Sequence, residues 1–239
     1  MKLLNATLAL LMCLAMTACV GEGDDDDGTG PEDEQVPIDA ENMIDDFEDG
    51  DDAITSTAER SGDWYSFNDG TGGEQSPGGS ETFLPEEGGP EGSAYAGHTS
   101  GSGWSEWGAG IGFDINAADP DSTDITKGTF DASAFTGIAF MAKGTGSVRA
   151  MVAMFDLIGE AEGGGCDTAD GECENHYGKV FELTDEWGQY LLPFDSITQE
   201  EGWGQELPFD PTNIASLLWQ TGPNADFDYW VDEVGLYVQ

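Results

Sequence analysis

From residue 41 to residue 239 the chain reads as short apolar runs punctuated by Gly, Pro, Asn and Asp, the pattern of an all-β sandwich. The strand candidates are 42–47, 93–98, 108–115, 137–142, 147–155, 179–183, 188–193, 215–220 and 227–237. No window holds a 3.6-residue apolar period long enough for a substantial helix. Residues 210–214 predict a single helical turn, with Asp210 as cap and Pro211 at its first position. The insertion 71–92, rich in Gly, Pro and Glu, is expected to be a mobile loop. With no internal repeat and no second linker, this stretch is expected to form one domain.

The pattern differs at the N-terminus. Met1 and Lys2 make a short basic start, residues 3–14 an apolar core, and Met16-Thr17-Ala18-Cys19 resembles a lipobox, in which small residues precede a cysteine to be acylated. On this reading residues 1–18 are a bacterial lipoprotein signal peptide and Cys19 is the lipidated first residue of the mature chain. An ordinary secretory signal with Cys19 as bystander is the alternative. The apolar core is shorter than the roughly 20 residues of a spanning helix, so attachment is expected through lipid, at the outer membrane or cell surface. Residues 19–40 then form an acidic tether. The aspartates from Asp24 to Asp27 suit a solvated, self-repelling spacer better than a calcium site, and also fit a surface-sorting signal.

Charge narrows the partners. Six basic residues against 49 acidic ones give a formal charge of −43, and removal of Lys2 with the signal makes the mature chain more negative still. Such a field repels phosphate backbones and anionic bilayers, which argues against nucleic acid and favours cations. The acidity alone would suggest disorder, but seven Trp, twelve Phe and six Tyr require a packed core.

Cys13 leaves with the signal and Cys19 is consumed by lipid, which leaves Cys166 and Cys173 as a pair within a glycine-rich loop. A disulfide suits an exported chain. The other reading is a zinc site made by Cys166, Cys173 and His176, for which a fourth ligand is missing.

Both ends of the domain are acidic within strands, where Asp is disfavoured: Ile44-Asp45-Asp46-Phe47-Glu48-Asp49-Gly50-Asp51 and Tyr229-Trp230-Val231-Asp232-Glu233-Val234. Alternation puts Asp46 and Glu48 on one side of the first strand and Trp230 and Asp232 on one side of the last. If these strands are neighbours, their carboxylates converge and need a cation, for which calcium is the hard-oxygen choice. Exposure of the acids on edge strands is the alternative.

The opening just quoted, the stretch 60–70 (Arg-Ser-Gly-Asp-Trp-Tyr-Ser-Phe-Asn-Asp-Gly), the strand 107–113, residues 130–140, the Leu183-to-Tyr190 segment before Pro193-Phe194, and Gly202-Trp203-Gly204 together resemble the galactose-binding-like jelly rolls. Within that group the chain is similar to carbohydrate-binding modules of family 11 and their relatives in bacterial surface lipoproteins, over nearly all of residues 41–239. The resemblance implies a structural calcium ion held by Glu48 and Asp232, with Asp46 and Asp51 as supplements. It also implies a sugar cleft on the concave sheet, where aromatic rings stack on pyranose faces. Candidates for that cleft are Trp104, Trp107, Arg149, His176, Tyr177 and Trp203. Arg149 interrupts an apolar strand, so it faces either a cleft or a carboxylate partner. The Cys166–Cys173 loop departs from the family pattern.

Parts for catalysis are wanting: no Ser lies in a Gly-x-Ser-x-Gly setting, and the histidines are His98, read as structural, and His176. Two non-catalytic readings remain, both monomeric: a surface lipoprotein that binds a polysaccharide or exopolysaccharide, and a structural or protein-interaction lipoprotein of the envelope. Several aromatics exposed in one groove would favour the first, and aromatics all buried would favour the second.

Overall fold

The computed structural model describes residues 35–118, 123–169 and 171–239. Cys19, the signal segment and most of the acidic tether lie outside the described residues. Among the described residues twelve strands appear in chain order: β1 (Met43–Asp45), β2 (Trp64–Asn68), β3 (Glu74–Ser76), β4 (Glu86–Glu87), β5 (Tyr95–Ser102), β6 (Ala109–Asp114), β7 (Gly137–Thr145), β8 (Ser147–Met154), β9 (Tyr177–Glu182), β10 (Gly188–Pro193), β11 (Ile214–Thr221) and β12 (Phe227–Tyr237). They form two antiparallel sheets, one in the order β10-β7-β12-β5-β3 with β1 on β12 and β4 on β5, the other in the order β2-β6-β11-β8-β9. This is the all-β sandwich expected from the pattern, in the jelly-roll form that the resemblance implied.

The core between the sheets follows from strand alternation. Ile138, Phe140 and Ala142 of β7 and Phe227, Tyr229 and Val231 of β12 point inward from one sheet; Val148, Ala150 and Val152 of β8 and Leu217 and Trp219 of β11 point inward from the other. Aromatic rings join the layers: Trp219 lies 5.4 Å from Phe140, edge to face, and 5.4 Å from Trp64, stacked. Trp64 meets Phe113 at 4.7 Å. Such pairs add about 0.5–1.5 kcal/mol each beyond the area they bury.

Four details differ from the sequence expectations. The insertion 71–92 is not one open loop, because β3 and β4 inside it pair with β5. β2 was not anticipated as a strand, since only its Trp64 and Ser66 turn to the core while Tyr65 and Phe67 face outward. Residues 210–214 form a β-turn and not a helical turn: the Asp210 carboxylate accepts from the Thr212 N–H and hydroxyl, Asn213 N–H bonds the Asp210 carbonyl, and Ile214 already opens β11. The tether does not run free to residue 40. The Gln189 side chain accepts from Val36 N–H at 2.6 Å and donates to Val36 O at 2.9 Å, which lays residues 35–38 on the seven-stranded sheet.

β12 carries a bulge. Asp232 pairs with Met141 and Gly235 with Ala139, so one extra residue is accommodated, at Glu233, which has φ of 45°. The bulge resets the alternation: Phe227, Tyr229 and Val231 before it and Val234 and Leu236 after it all reach the core, while Asp232 stays on the outer face.

Among the described residues no helix is long and apolar enough to cross a membrane.

Candidate binding groove

The outward positions of the five-stranded sheet fall into rows set by the ladder register. Phe67, Gly110, Gln220, Arg149 and Val180 stand side by side across β2, β6, β11, β8 and β9; Tyr65, Gly112, Leu218, Met151 and Gly178 make the next row, and Asp114, Ser216 and Ala153 a third. Five strands at about 4.8 Å spacing span roughly 19 Å. Glycine on β6 is required by the floor: a Cβ at Gly110 would sit 2.1 Å from the Trp219 carbonyl oxygen and 2.8 Å from the Phe67 ring. Over this floor runs an open groove of about 1070 Å³.

Its flanks carry exposed rings. Trp107, 43 % exposed, lies 6.1 Å from Phe67 on the β2 side, and Gln220 donates to its carbonyl at 2.7 Å. On the β8–β9 side stands Trp203, 38 % exposed, its indole N–H on Glu200 at 3.0 Å. Val180, also exposed, extends the apolar surface at that edge.

Arg149 does both things its sequence context allowed. It lines the groove, its Nη2 donates to the carbonyls of His176 at 3.2 Å and Thr198 at 2.7 Å, and its Nε is 3.9 Å from Glu200. Burial pulls the guanidinium below its ordinary pKa, opposed by the Glu200 charge. His176 is buried in the same wall with Nε2 3.0 Å from Glu174. Burial pushes Glu174 up, but the bond and charge of His176, with the N–H of Gly159, hold it below the usual carboxylate range.

At the other end of the floor Asp114 is a polar hub, its Oδ1 accepting from Lys127 at 2.9 Å, Ser216 at 2.8 Å and Tyr65 at 3.2 Å. Burial, followed by the Asp114 charge, raises the Tyr65 phenol well above its usual value.

The structure thus brings Trp107, Arg149, His176 and Trp203 to one groove. It does not bring Trp104 or Tyr177 there. Trp104, 5 % exposed, packs over Gly73 in the core cluster. Tyr177 pairs with Val152, an inward position, packs 5.2 Å from Phe209 and donates its hydroxyl to Leu207 O at 2.6 Å. Both corrections have one cause, since which face an aromatic takes depends on register and loop path. Tyr65, Phe67, Asp114, Lys127 and Gln220 were not anticipated in the groove; the alternation in 64–68 was the one signal available for the first two.

Cys166 and Cys173 are joined by a disulfide, which settles the choice against a shared zinc site. Cys173 lies in the groove wall beside Glu174.

On the opposite sheet the two end strands are neighbours, β1 on β12. Ser93 Oγ reaches Glu48 Oε1 at 2.9 Å and Asp232 Oδ2 at 2.8 Å, so these two carboxylates face one hydroxyl. Asp232 is fully buried, and burial above all, with the charges of Glu233 and Glu48, raises it to about 7 despite bonds from Ser93 and Glu233 N–H. Glu48 is lowered by the N–H groups of Tyr95 and Ala94 and by Ser93. Asp46 and Asp51 do not join them: each bends back, Asp46 to Glu48 N–H and Asp51 to Ala53 N–H. Among the described residues no group of three or more His, Cys, Asp or Glu side chains is arranged to hold a metal ion by itself.

No family model and no curated protein matches the sequence. Solved structures do match. The family 11 carbohydrate-binding module of a cellulosomal cellulase of Clostridium thermocellum aligns with a TM-score of 0.50 at 18 % identity, over 86 % of this chain and 97 % of that one. The fold is that of the galactose-binding-like carbohydrate-binding modules. A family 11 module from the same organism, in complex with a β-1,3-1,4-mixed-linked tetrasaccharide, aligns at 0.49 and 18 % identity over 82 % and 95 % of the two chains. A family 30 module of another cellulosomal cellulase of that organism gives 0.48 and 12 % identity over 79 % and 97 %. At these identities the likeness is one of fold.

Proposed function

We propose that this protein is a non-catalytic surface lipoprotein that holds a polysaccharide or exopolysaccharide in the groove of the five-stranded sheet. The observation that carries the reading is the pair of exposed tryptophans, Trp107 and Trp203, flanking one open groove with a partly polar floor. Indole faces stack on the apolar faces of sugar rings, while side chains such as Gln220 and Glu200 are placed to read hydroxyls. A floor of roughly 19 Å accommodates several sugar units. Aromatics gathered in one groove favour this reading over a purely structural or protein-binding lipoprotein.

The second part of the proposal is a structural calcium ion on Glu48 and Asp232. The donor set supports it: two carboxylates converge on one hydroxyl, one of them buried, and among the described residues neither has a basic side chain as a hydrogen-bond or ion-pair partner. Backbone carbonyls or water would complete the shell. Held there, the ion ties the start of the domain to its last strand and stabilises the native state by mass action. The third part, the lipid anchor on Cys19, rests on the lipobox-like sequence alone.

Affinity of the soluble chain for a panel of immobilised glycans in calcium tests the first part. Saturable binding, reduced at least tenfold by Trp107→Ala and by Trp203→Ala in folded variants, is the expected outcome. No binding to any glycan by folded protein overturns it. Incorporation of labelled fatty acid, lost in Cys19→Ala, tests the anchor.

A further inference from the structure

Trp107 stands on a loop, and an exposed ring on a loop makes a poor platform unless the backbone beneath it is set before the ligand arrives. Three constraints act on that backbone. Gln220 holds the Trp107 carbonyl. Gly108, at φ of 98°, passes so close to β11 that a Cβ would lie 2.0 Å from the Thr221 carbonyl oxygen. The third is Asp69, just past the end of β2: its Oδ2 accepts three consecutive backbone N–H groups, from Glu106 at 2.9 Å, Trp107 at 3.0 Å and Gly108 at 3.0 Å.

The other oxygen of Asp69 takes the N–H and hydroxyl of Thr71, and that hydroxyl in turn accepts the N–H of Ser105. Five donors therefore converge on one carboxylate, and Asp69 N–H returns a bond to Gly108 O at 3.0 Å. Successive N–H groups curled around an anion form a nest, an arrangement favouring a full negative charge. Neutral amide oxygen is a weaker acceptor for it than carboxylate. No cation is paired with Asp69 among the described ion pairs, so the backbone itself is its counter-charge.

We infer that Asp69 is the positioning residue for Trp107: it clamps the 105–108 loop and so presets the indole on the groove before any ligand binds. The inference rests on the carbohydrate-binding reading for its ligand arm alone. Desolvation works against the ionised form, but the bonds from Thr71, Gly108 and Glu106 outweigh it and hold the carboxyl far below its ordinary range, so the clamp stays charged at any working pH.

The test compares the protein with Asp69→Asn, Thr71→Val, Trp107→Ala and the Asp69→Asn/Trp107→Ala double variant, by amide hydrogen exchange and by glycan affinity. In Asp69→Asn the amides of residues 106–108 exchange about tenfold faster or more, while those of β11 and β12 are unchanged. Thr71→Val gives a smaller acceleration, foremost at Ser105. Glycan affinity falls about tenfold in Asp69→Asn, and the same change costs nothing further once Trp107 is Ala. Unchanged exchange at 106–108, a general rise across the domain, or additive losses in the double variant overturns the inference. If the parent protein binds no glycan, the functional reading fails by itself, and exchange at 106–108 still decides whether Asp69 is the clamp.

Discussion

At the scale of single residues, the groove works through side chains whose neighbours have already fixed them. Arg149 shows this best. Its guanidinium spans two carbonyls, of His176 and Thr198, and so fastens the 198–203 segment that carries Glu200 and Trp203. Lysine keeps the charge but carries it on a rotatable ammonium without the rigid planar fork, and it has no counterpart of the Nε that faces Glu200. Arg149→Lys is therefore expected to weaken glycan binding several-fold and to speed amide exchange in residues 198–203, with the sheet unaffected. Asp45 is a different case. It is buried, accepts from Trp64 Nε1 at 2.6 Å and Phe47 N–H at 3.0 Å, and burial raises it to about 7. Asp45→Ala leaves both donors without an acceptor in the core and is expected to cost on the order of 2–4 kcal/mol in denaturant unfolding.

At the scale of elements, the Cys166–Cys173 loop and the wall it supports form a unit. The bridge closes a loop of sequence separation 7, for which chain entropy gives roughly 2 kcal/mol. It braces Glu174, which holds Gly159 N–H and His176. The double substitution Cys166→Ser/Cys173→Ser is expected to lower the thermal midpoint by about 4–8 °C and to weaken glycan binding, as read by calorimetry and affinity electrophoresis. β6 makes the complementary case. Its outward glycines let β2 and β11 shape the floor with Phe67 and Leu218, so Gly110→Ala, forced against the Trp219 carbonyl, is expected to destabilise the domain by at least ~2 kcal/mol.

For the whole molecule, charge sets the conditions under which it is stable. Burial raises both Asp45 and Asp232 to about 7 in the native state, from the ordinary aspartate value of 3.8. Between those values the native chain binds more protons than the unfolded one, so without calcium stability falls as pH rises from about 4 through about 7. The proposed calcium, on ionised Asp232 and Glu48, would oppose that loss. The thermal midpoint in EDTA is thus expected to be lower at pH 8 than at pH 5, and added calcium to restore it chiefly at pH 8. A calcium response that is equal at both values, or none at all, removes the ion from the account. The formal charge of −43 adds self-repulsion, so raising NaCl from 10 to 150 mM, which shortens the screening length from about 30 to about 8 Å, is expected to raise the midpoint.

The sandwich was legible in the residues because alternation and punctuation are local: residues 188–193 and 227–237 are β10 and β12 to the residue. The meeting of the two acidic ends was legible only in part: alternation could bring the carboxylates together only if the end strands were neighbours, the pair Glu48 and Asp232 came from the family resemblance, and Glu48 lies in the turn after β1, where no strand period applies. Pairing at Cys166 and Cys173 was one of two readings the glycine-rich loop offered, and the disulfide is the one the structure has. What tertiary structure alone decided was which aromatic faces water. Trp104 and Trp107 are three residues apart in one loop, yet the first is buried over Gly73 and the second exposed on the groove, because the path of the loop is set by Asp69 and Gln220, both distant in sequence, and by the close passage of Gly108 against Thr221. Tyr177 turned inward by register with β8, and Tyr65 and Phe67 turned outward by register with β6. A strand's faces are written in its own period, but the choice of which face meets the core is made by its neighbours.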